Sequence, residues 1–267
     1  MLARGARPPF FRLVRGGTTL PASATSRSAG VGHRTIDDVV QPNAVVKEFH
    51  AGATLVVQGL QFTNPHLARA ANNLALELDH AVQVNAYLSP EAARGLELHF
   101  DYHDVFVLQL DGRKRWRVWE PLERTHRPLK GVAPAIAAPT FDELGEPSLD
   151  LMLEAGDCLY LPRGFPHCAE TVESASTHLT IGLMAVTWQR AVHHAVEAAA
   201  ATDDGLRASV AARSLDHGVV APAVDAVEAQ LNPVAVRAWM AAEIWRRQPA
   251  TRLRPIHPPP IDAASAV

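Results

Sequence analysis

The sequence is poor in cysteine, lysine and aromatic residues, and no run of apolar residues is long enough to span a bilayer. Its two cysteines, Cys158 and Cys168, are too few for a disulfide scaffold, and they do not stand at zinc-finger spacing. They suit a reducing compartment, and both are expected to pack as small hydrophobes. Aromatics make up only 6% of the residues, and the formal net charge is −3. Neither nucleic acid nor an anionic membrane is therefore the expected partner, and a cytoplasmic location is expected. Acidic residues are missing from the first 36 positions, which carry six arginines. A transit peptide would need an amphipathic helical period there, and none is visible, so this bias is assigned to background composition. No internal repeat is visible either.

What is present is ordinary for a globular chain of 267 residues: 48% apolar and 20% charged, enough to bury a substantial core. Residues 1–50 are turn-rich, broken at Gly16-Gly17, Pro21 and Gly30, and are expected to form an irregular lead-in. Within them, PPFFRLVRGG reads as a strand entering a turn. ATLVVQGL (53–60) is a short strand. Asn64-Pro65 then starts a helix whose apolar stripe is Leu67, Ala71, Leu74 and Leu78. VQVNAYLS (82–89) alternates as a strand, and LHFDYHDVFVLQLDGRKRWRVW (98–119) reads as a half-buried hairpin about Asp111-Gly112. After a proline-rich connection over 120–147, LMLEAGDCLYLPRGFPHCAETV and STHLTIGL supply further strands. Short strands with turns between them point to a β-sandwich or barrel rather than a doubly wound sheet. From Trp188 the chain turns alanine-rich and helical, with breaks expected at Asp203-Asp204-Gly205 and Gly218. A last helix runs from Asn232-Pro233 to Arg246-Arg247, before Pro249.

Two segments carry the chemistry. In His99-x-Asp101, strand alternation puts an imidazole and a carboxylate on one face, where they can take two adjacent corners of a metal's coordination shell. Alone this triplet is weak, because a buried histidine hydrogen-bonded to an acid has the same pattern. GDCLYLPRGFPH (156–167) is far more specific: Gly156, Pro162, Gly164 and His167 keep the spacing of the second motif of cupins, which delivers a histidine at a rigid bend. Two imidazoles and a carboxylate with open positions are the facial triad of non-haem Fe(II) oxygenases, and zinc fits this set less well. Past the turn at 111–112, Lys114 shares a face with Trp116 and Val118, while Arg113, Arg115 and Arg117 share the other. A lysine pointing inward calls for an anion, either a fixed acid or a bound dicarboxylate.

Through NAYLSP (85–90), LHFDYHDVFVLQLDGRKRW (98–116), GDCLYLPRGFPH and HLTIGL (178–183), the chain resembles the JmjC-domain, cupin-like ribosomal oxygenases, a family of Fe(II)- and 2-oxoglutarate-dependent hydroxylases. The likeness spans roughly residues 10–190. It implies a mainly β protein: a double-stranded β-helix core of the cupin or jelly-roll type, with an early helix and a C-terminal α-helical segment. It further implies that His99, Asp101 and His167 ligate Fe(2+), and that Lys114 binds the distal carboxylate of the cosubstrate 2-oxoglutarate. Asn85 and Thr180 are implied to line the cosubstrate pocket. His103 is expected to support a ligand by hydrogen bonding, and Tyr87 and Tyr102 to pack in the core.

Family members usually carry more chain before PFFRLVRGG, so part of the N-terminal portion of the domain is expected to be missing, and no winged helix is expected at the other end. The expected organisation is a lead-in over 1–50, a catalytic domain over 51–189, a helical bundle over 190–248 and a disordered tail over 249–267. The expected activity is hydroxylation of a protein side chain, one of a ribosomal protein among them, with a small-molecule substrate left open. The helical bundle is a candidate homodimer element, and no membrane or direct nucleic-acid partner is expected. The alternatives are a cupin metalloenzyme that does not use 2-oxoglutarate, and a non-catalytic cupin binding module. The carboxylate of the first motif and the inward Lys114 favour the oxygenase.

Overall fold

The computed structural model describes residues 7–128, 136–209 and 217–249. In chain order its elements begin with β1 (Phe11–Arg15), β2 (Thr18–Thr19), β3 (Ser26–Val31), β4 (Arg34–Val40), α1 (Pro42–His50) and β5 (Thr54–Val57). Then come α2 (Leu60–Thr63), α3 (Pro65–Leu78), β6 (Ala81–Ser89), β7 (Asp104–Asp111), β8 (Lys114–Val118) and α4 (Phe141–Leu144). The last are β9 (Leu149–Leu153), β10 (Cys158–Leu161), β11 (His167–Glu170), β12 (Ser176–Met184), α5 (Trp188–Thr202), α6 (His217–Gln230) and α7 (Pro233–Arg247).

The strands make a seven-stranded sheet in the order β10-β7-β12-β6-β5-β1-β2, a three-stranded sheet β11-β8-β9, and a separate hairpin β3-β4. All pairings are antiparallel. From β6 onward the chain passes repeatedly between the two larger sheets, the winding of a double-stranded β-helix. Alternation decides the two faces. Along β6, Val82 and Val84 pack outward with Leu183 of β12 against Ala71 and Ala75 of α3 and Ile244 of α7. Tyr87 and Ser89, on the other parity, face the second sheet. Between the sheets one half is filled by Val105, Val107, Trp116, Val118, Leu153, Leu159 and Leu161. A cavity lies against this cluster, with Val105, Val107, Trp116 and Leu161 in its lining.

Helix ends follow their local chemistry. Asn64 caps α3 by accepting from the N–H groups of His66 and Leu67, and Asn232 caps α7 by accepting from Ala235 N–H. Pro65 and Pro233 occupy first-turn positions that lack an intrahelical partner anyway. The Gln248 side-chain amide, just past α7, donates to Val82 O at 3.1 Å and fastens the C-terminal helix to β6.

Several expectations need correction. Residues 98–119 are not a hairpin: β7 already pairs with β10 on one edge and β12 on the other, so the chain after Asp111 must leave for the second sheet. Gln109 secures that crossing, its amide nitrogen donating to Asp111 O, Gly112 O and Ser176 Oγ. The inward parity of Lys114, Trp116 and Val118 survives, since it depends on the turn and not on the pairing partner. The lead-in is not irregular: β1 joins the large sheet through β5, and Phe11 and Leu13 pack with Val45 of α1. Gly218 does not break a helix but lies within α6. Cys168 is buried, whereas Cys158 is exposed on the outer face of β10. The tail expected over 249–267 lies outside the described residues except for Pro249. Among the described residues, no helix is long and apolar enough to cross a membrane.

Candidate active site

One cavity between the sheets is lined by His99, Asp101, Lys114, Trp116, His167, His178, Thr180, Tyr87 and Thr54, with Val105, Val107 and Leu161 as part of its apolar wall. His167 opens β11, which pairs with β8 on one side. On its other side His99 forms an isolated bridge with His167, His99 N–H to His167 O at 3.2 Å and His167 N–H to His99 O at 2.8 Å. Asp101 is tied to the second motif through its carbonyl, which accepts from Gly164 N–H at 2.9 Å. Gly164 has a φ of +88°, and a Cβ there would lie 2.0 Å from Thr125 O, so only glycine lets the bend pass this backbone.

The side chains of His99, Asp101 and His167 each offer a ligand atom within 4.8 Å of the others. His167 Nε2 stands 3.7 Å from an Asp101 carboxylate oxygen, and the two imidazole centroids are 4.4 Å apart. His99 Nδ1 donates to Glu97 O at 2.7 Å, and His167 Nδ1 to Phe165 O at 2.9 Å. A carbonyl can only accept, so both rings carry their proton on Nδ1 and keep the Nε2 lone pair for a metal. Burial, then the neighbouring His99, pulls the His167 pKa down to about 4, so the ring is neutral at ordinary pH, as ligation requires. Two imidazoles and a carboxylate on adjacent corners fit Fe(II).

At the far end of the cavity, Lys114 is 3% exposed. Its ammonium donates to Ser89 Oγ at 2.9 Å, and Thr54 Oγ1 donates to the same oxygen at 3.0 Å. Burial lowers the Lys114 pKa to about 8, and no carboxylate among the described residues offsets that burial. Nearby, the buried Trp116 Nε1 and His178 Nδ1 have no hydrogen-bond partner among the described residues. Burial, then the Lys114 charge, holds the His178 pKa well below its usual value. Orphaned polar groups beside a buried ammonium are costly, and an anion with several acceptor oxygens satisfies the ammonium and the Trp116 N–H. A dicarboxylate such as 2-oxoglutarate fits this end.

The structure thus brings together His99, Asp101, His167, Lys114 and Thr180. Asn85 shares their face and pairs with Thr180 across the sheet, but its Oδ1 is engaged by Gly59 N–H at 3.1 Å and by Gln83 Nε2 at 3.2 Å. It is not among the residues that line the cavity. His103 packs against Gly182 and stands close enough to His167 to disfavour its protonated form. Sequence reasoning missed Ser89, Thr54 and the cavity role of His178, and it favoured core packing over a pocket role for Tyr87, which lines the cavity. Period-two counting from Asn85 along β6 reaches Tyr87 and Ser89, so that signal was available. Tyr87 lies parallel to His178, centroids 4.8 Å apart, and its hydroxyl faces Thr180 and Arg12.

Residues 57–191 match the family model of the JmjC domain. Ribosomal oxygenase 1 of Danio rerio is 46% identical over 100 residues, covering 36% of this chain and 18% of that protein. The bifunctional lysine-specific demethylase and histidyl-hydroxylase NO66 of Dictyostelium discoideum is 35% identical over 143 residues, 52% of this chain and 27% of that protein. The matched region is therefore a fraction of these relatives' length. A structure of Escherichia coli ribosomal oxygenase YcfD with cobalt and 2-oxoglutarate superposes with a TM-score of 0.56 at 18% identity, covering 94% of this chain and 62% of that one. Another YcfD structure gives a TM-score of 0.59 at 20% identity, over 93% and 64%. The two-sheet winding and the family match over half of the sequence agree, and the chain belongs to the JmjC-domain family.

Proposed function

We propose that the protein is an Fe(II)- and 2-oxoglutarate-dependent oxygenase that hydroxylates a polypeptide side chain, with a ribosomal protein as the first substrate to test. One observation carries this reading: a single cavity holds three ligand atoms within 4.8 Å of one another and, at its far end, a buried ammonium with no fixed acid among the described residues. His99 and His167 hold the iron through Nε2 and Asp101 through a carboxylate oxygen. Lys114, oriented by Ser89, pairs with the distal carboxylate of 2-oxoglutarate. Bound there, the iron supplies O2 activation, with one oxygen atom going into the substrate C–H bond and the other into succinate as CO2 leaves. Trp116, Val105, Val107 and Leu161 keep that end of the cavity dry. Thr180 and Tyr87 wall the cosubstrate space; Asn85 acts one layer away, through Gly59.

The named activities of the relatives support a protein substrate. We read the reaction as stable hydroxylation rather than demethylation, which a product heavier by about one oxygen atom distinguishes from a lost methyl group. We assign catalysis to residues 51–189 and self-association to 190–248, where Val192 and Val196 are exposed apolar residues on α5, one face that begins just before the segment at Trp188. Free Cys158 and Cys168 accord with a cytoplasmic setting. The test is Fe(II)-dependent succinate formation from 2-oxoglutarate in the presence of ribosomal proteins, with mass spectrometry of the products. Metal binding without succinate would instead support a cupin metalloenzyme of another kind, and absence of metal binding a binding module.

A further inference from the structure

Gly17, in the turn between β1 and β2, is far in sequence from the metal ligands yet sits against their support. Its N–H donates to Gly95 O at 3.2 Å. Its φ is +75°, and a Cβ built there would lie 2.1 Å from Glu97 Cγ and 2.8 Å from Glu97 Oε1. Glu97 is the residue whose carbonyl accepts from His99 Nδ1 and so fixes that ring's tautomer and direction. The segment has little room to retreat. On its inner side a Cβ on Gly95 would meet Thr54 Oγ1 at 3.2 Å, and Thr54 donates to Ser89, the partner of Lys114. Its other edge is held by the bridges Arg94–Glu170 and His99–His167. We propose that the β1–β2 turn is a positioning element of the metal site: flush contact at Gly17 sets Glu97, and Glu97 sets His99. This inference rests on the metal site proposed above.

Gly16 provides the control. It has a φ of +53°, but no atom of a described residue lies within 4 Å of a Cβ built there. Alanine at either position strains the backbone similarly, and only Gly17→Ala reaches Glu97. The full chain, stripped of metal, is titrated with Co(II), reading affinity and the visible absorption of the bound ion, with circular dichroism as the check on folding. Gly16→Ala is expected to bind as the unmodified protein does. Gly17→Ala should bind about tenfold more weakly with an altered spectrum, the scale of losing a partner that orients a ligand. Adding Glu97→Ala to Gly17→Ala should restore the affinity, because the carbonyl stays while the obstructing Cγ goes. Gly17→Asn, which tolerates the left-handed backbone and carries the same Cβ, is the second variant if the alanine form does not fold. Undiminished Co(II) binding by a folded Gly17 variant, or a loss that Glu97→Ala does not reverse, overturns the proposal. If the unmodified protein binds no Co(II), the metal-site reading itself falls, and this proposal with it.

Discussion

The two ends of the cavity are built on opposite terms. At the metal end, each imidazole has its Nδ1 held by a carbonyl two residues earlier, Glu97 for His99 and Phe165 for His167, leaving only the ligating lone pairs uncommitted. At the cation end, Lys114 has the Ser89 hydroxyl, while Trp116 Nε1 and His178 Nδ1 have no partner among the described residues. The first arrangement is cheap to maintain without ligand, because its contacts are local and neutral. The second holds a buried charge and orphaned polar groups, a cost repaid only by an anion. Removing a group should therefore have different consequences at the two ends.

The largest expected effect is at the metal end. Asp101→Ala removes one of three ligands, and Fe(II)-dependent succinate formation should fall more than about 100-fold, beyond what loss of an outer partner causes. Thermal melting of the metal-free protein should change little, since the Asp101 carboxylate stands 3.7 Å from His167 Nε2, beyond hydrogen-bond distance. Succinate formation at the unmodified rate would remove Asp101 from the ligand set.

At the cation end cosubstrate affinity should fall while stability rises. Lys114→Met keeps the apolar stem and deletes the ammonium. The dissociation constant for 2-oxoglutarate should rise on the order of 10- to 100-fold, the value of a charge-assisted hydrogen bond. The melting temperature of the ligand-free protein should rise too, because a buried unpaired charge is gone. Calorimetric titration and a thermal melt on one preparation give both numbers. A variant less stable than the parent would show that Lys114 is already compensated and would erase the contrast between the ends.

This contrast also marks what could be read from the sequence. H-x-D and the Gly-Pro-Gly-His bend each place their own side chains, because motif spacing encodes local geometry; that the two segments meet was implied by the resemblance to the cupin-like oxygenases. The direction of Lys114 was legible from parity alone. Strand partners were not, since Asp111-Gly112 announces a turn without saying whether β8 returns to β7 or leaves for the other sheet. Ser89 escaped notice because a buried hydroxyl has no signature until the ammonium beside it is seen. The lead-in looked irregular because β1 spans five residues and gains its stability from pairing with β5, a contact about forty residues away.

The last effect, and the one that tests the electrostatics most directly, is on pH dependence. Burial brings the Lys114 pKa from an ordinary 10.5 down to about 8. Below pH 8 the side chain is charged in both folded and unfolded chains, and the folded protein bears the full cost of burying it. Between pH 8 and 10.5 the unfolded chain binds the extra proton, so folded stability should rise with pH, by up to about 3 kcal/mol if this group acted alone. Subtracting the same pH series for Lys114→Met isolates this contribution from other alkaline titrations. Over the same interval 2-oxoglutarate affinity should fall, by at most about tenfold per pH unit, because the neutral amine no longer attracts the distal carboxylate. The ligand-free protein thus gains stability as it loses its cosubstrate. Affinity that stays level from pH 7 to 9.5 would mean that the carboxylate is held by something other than the Lys114 charge.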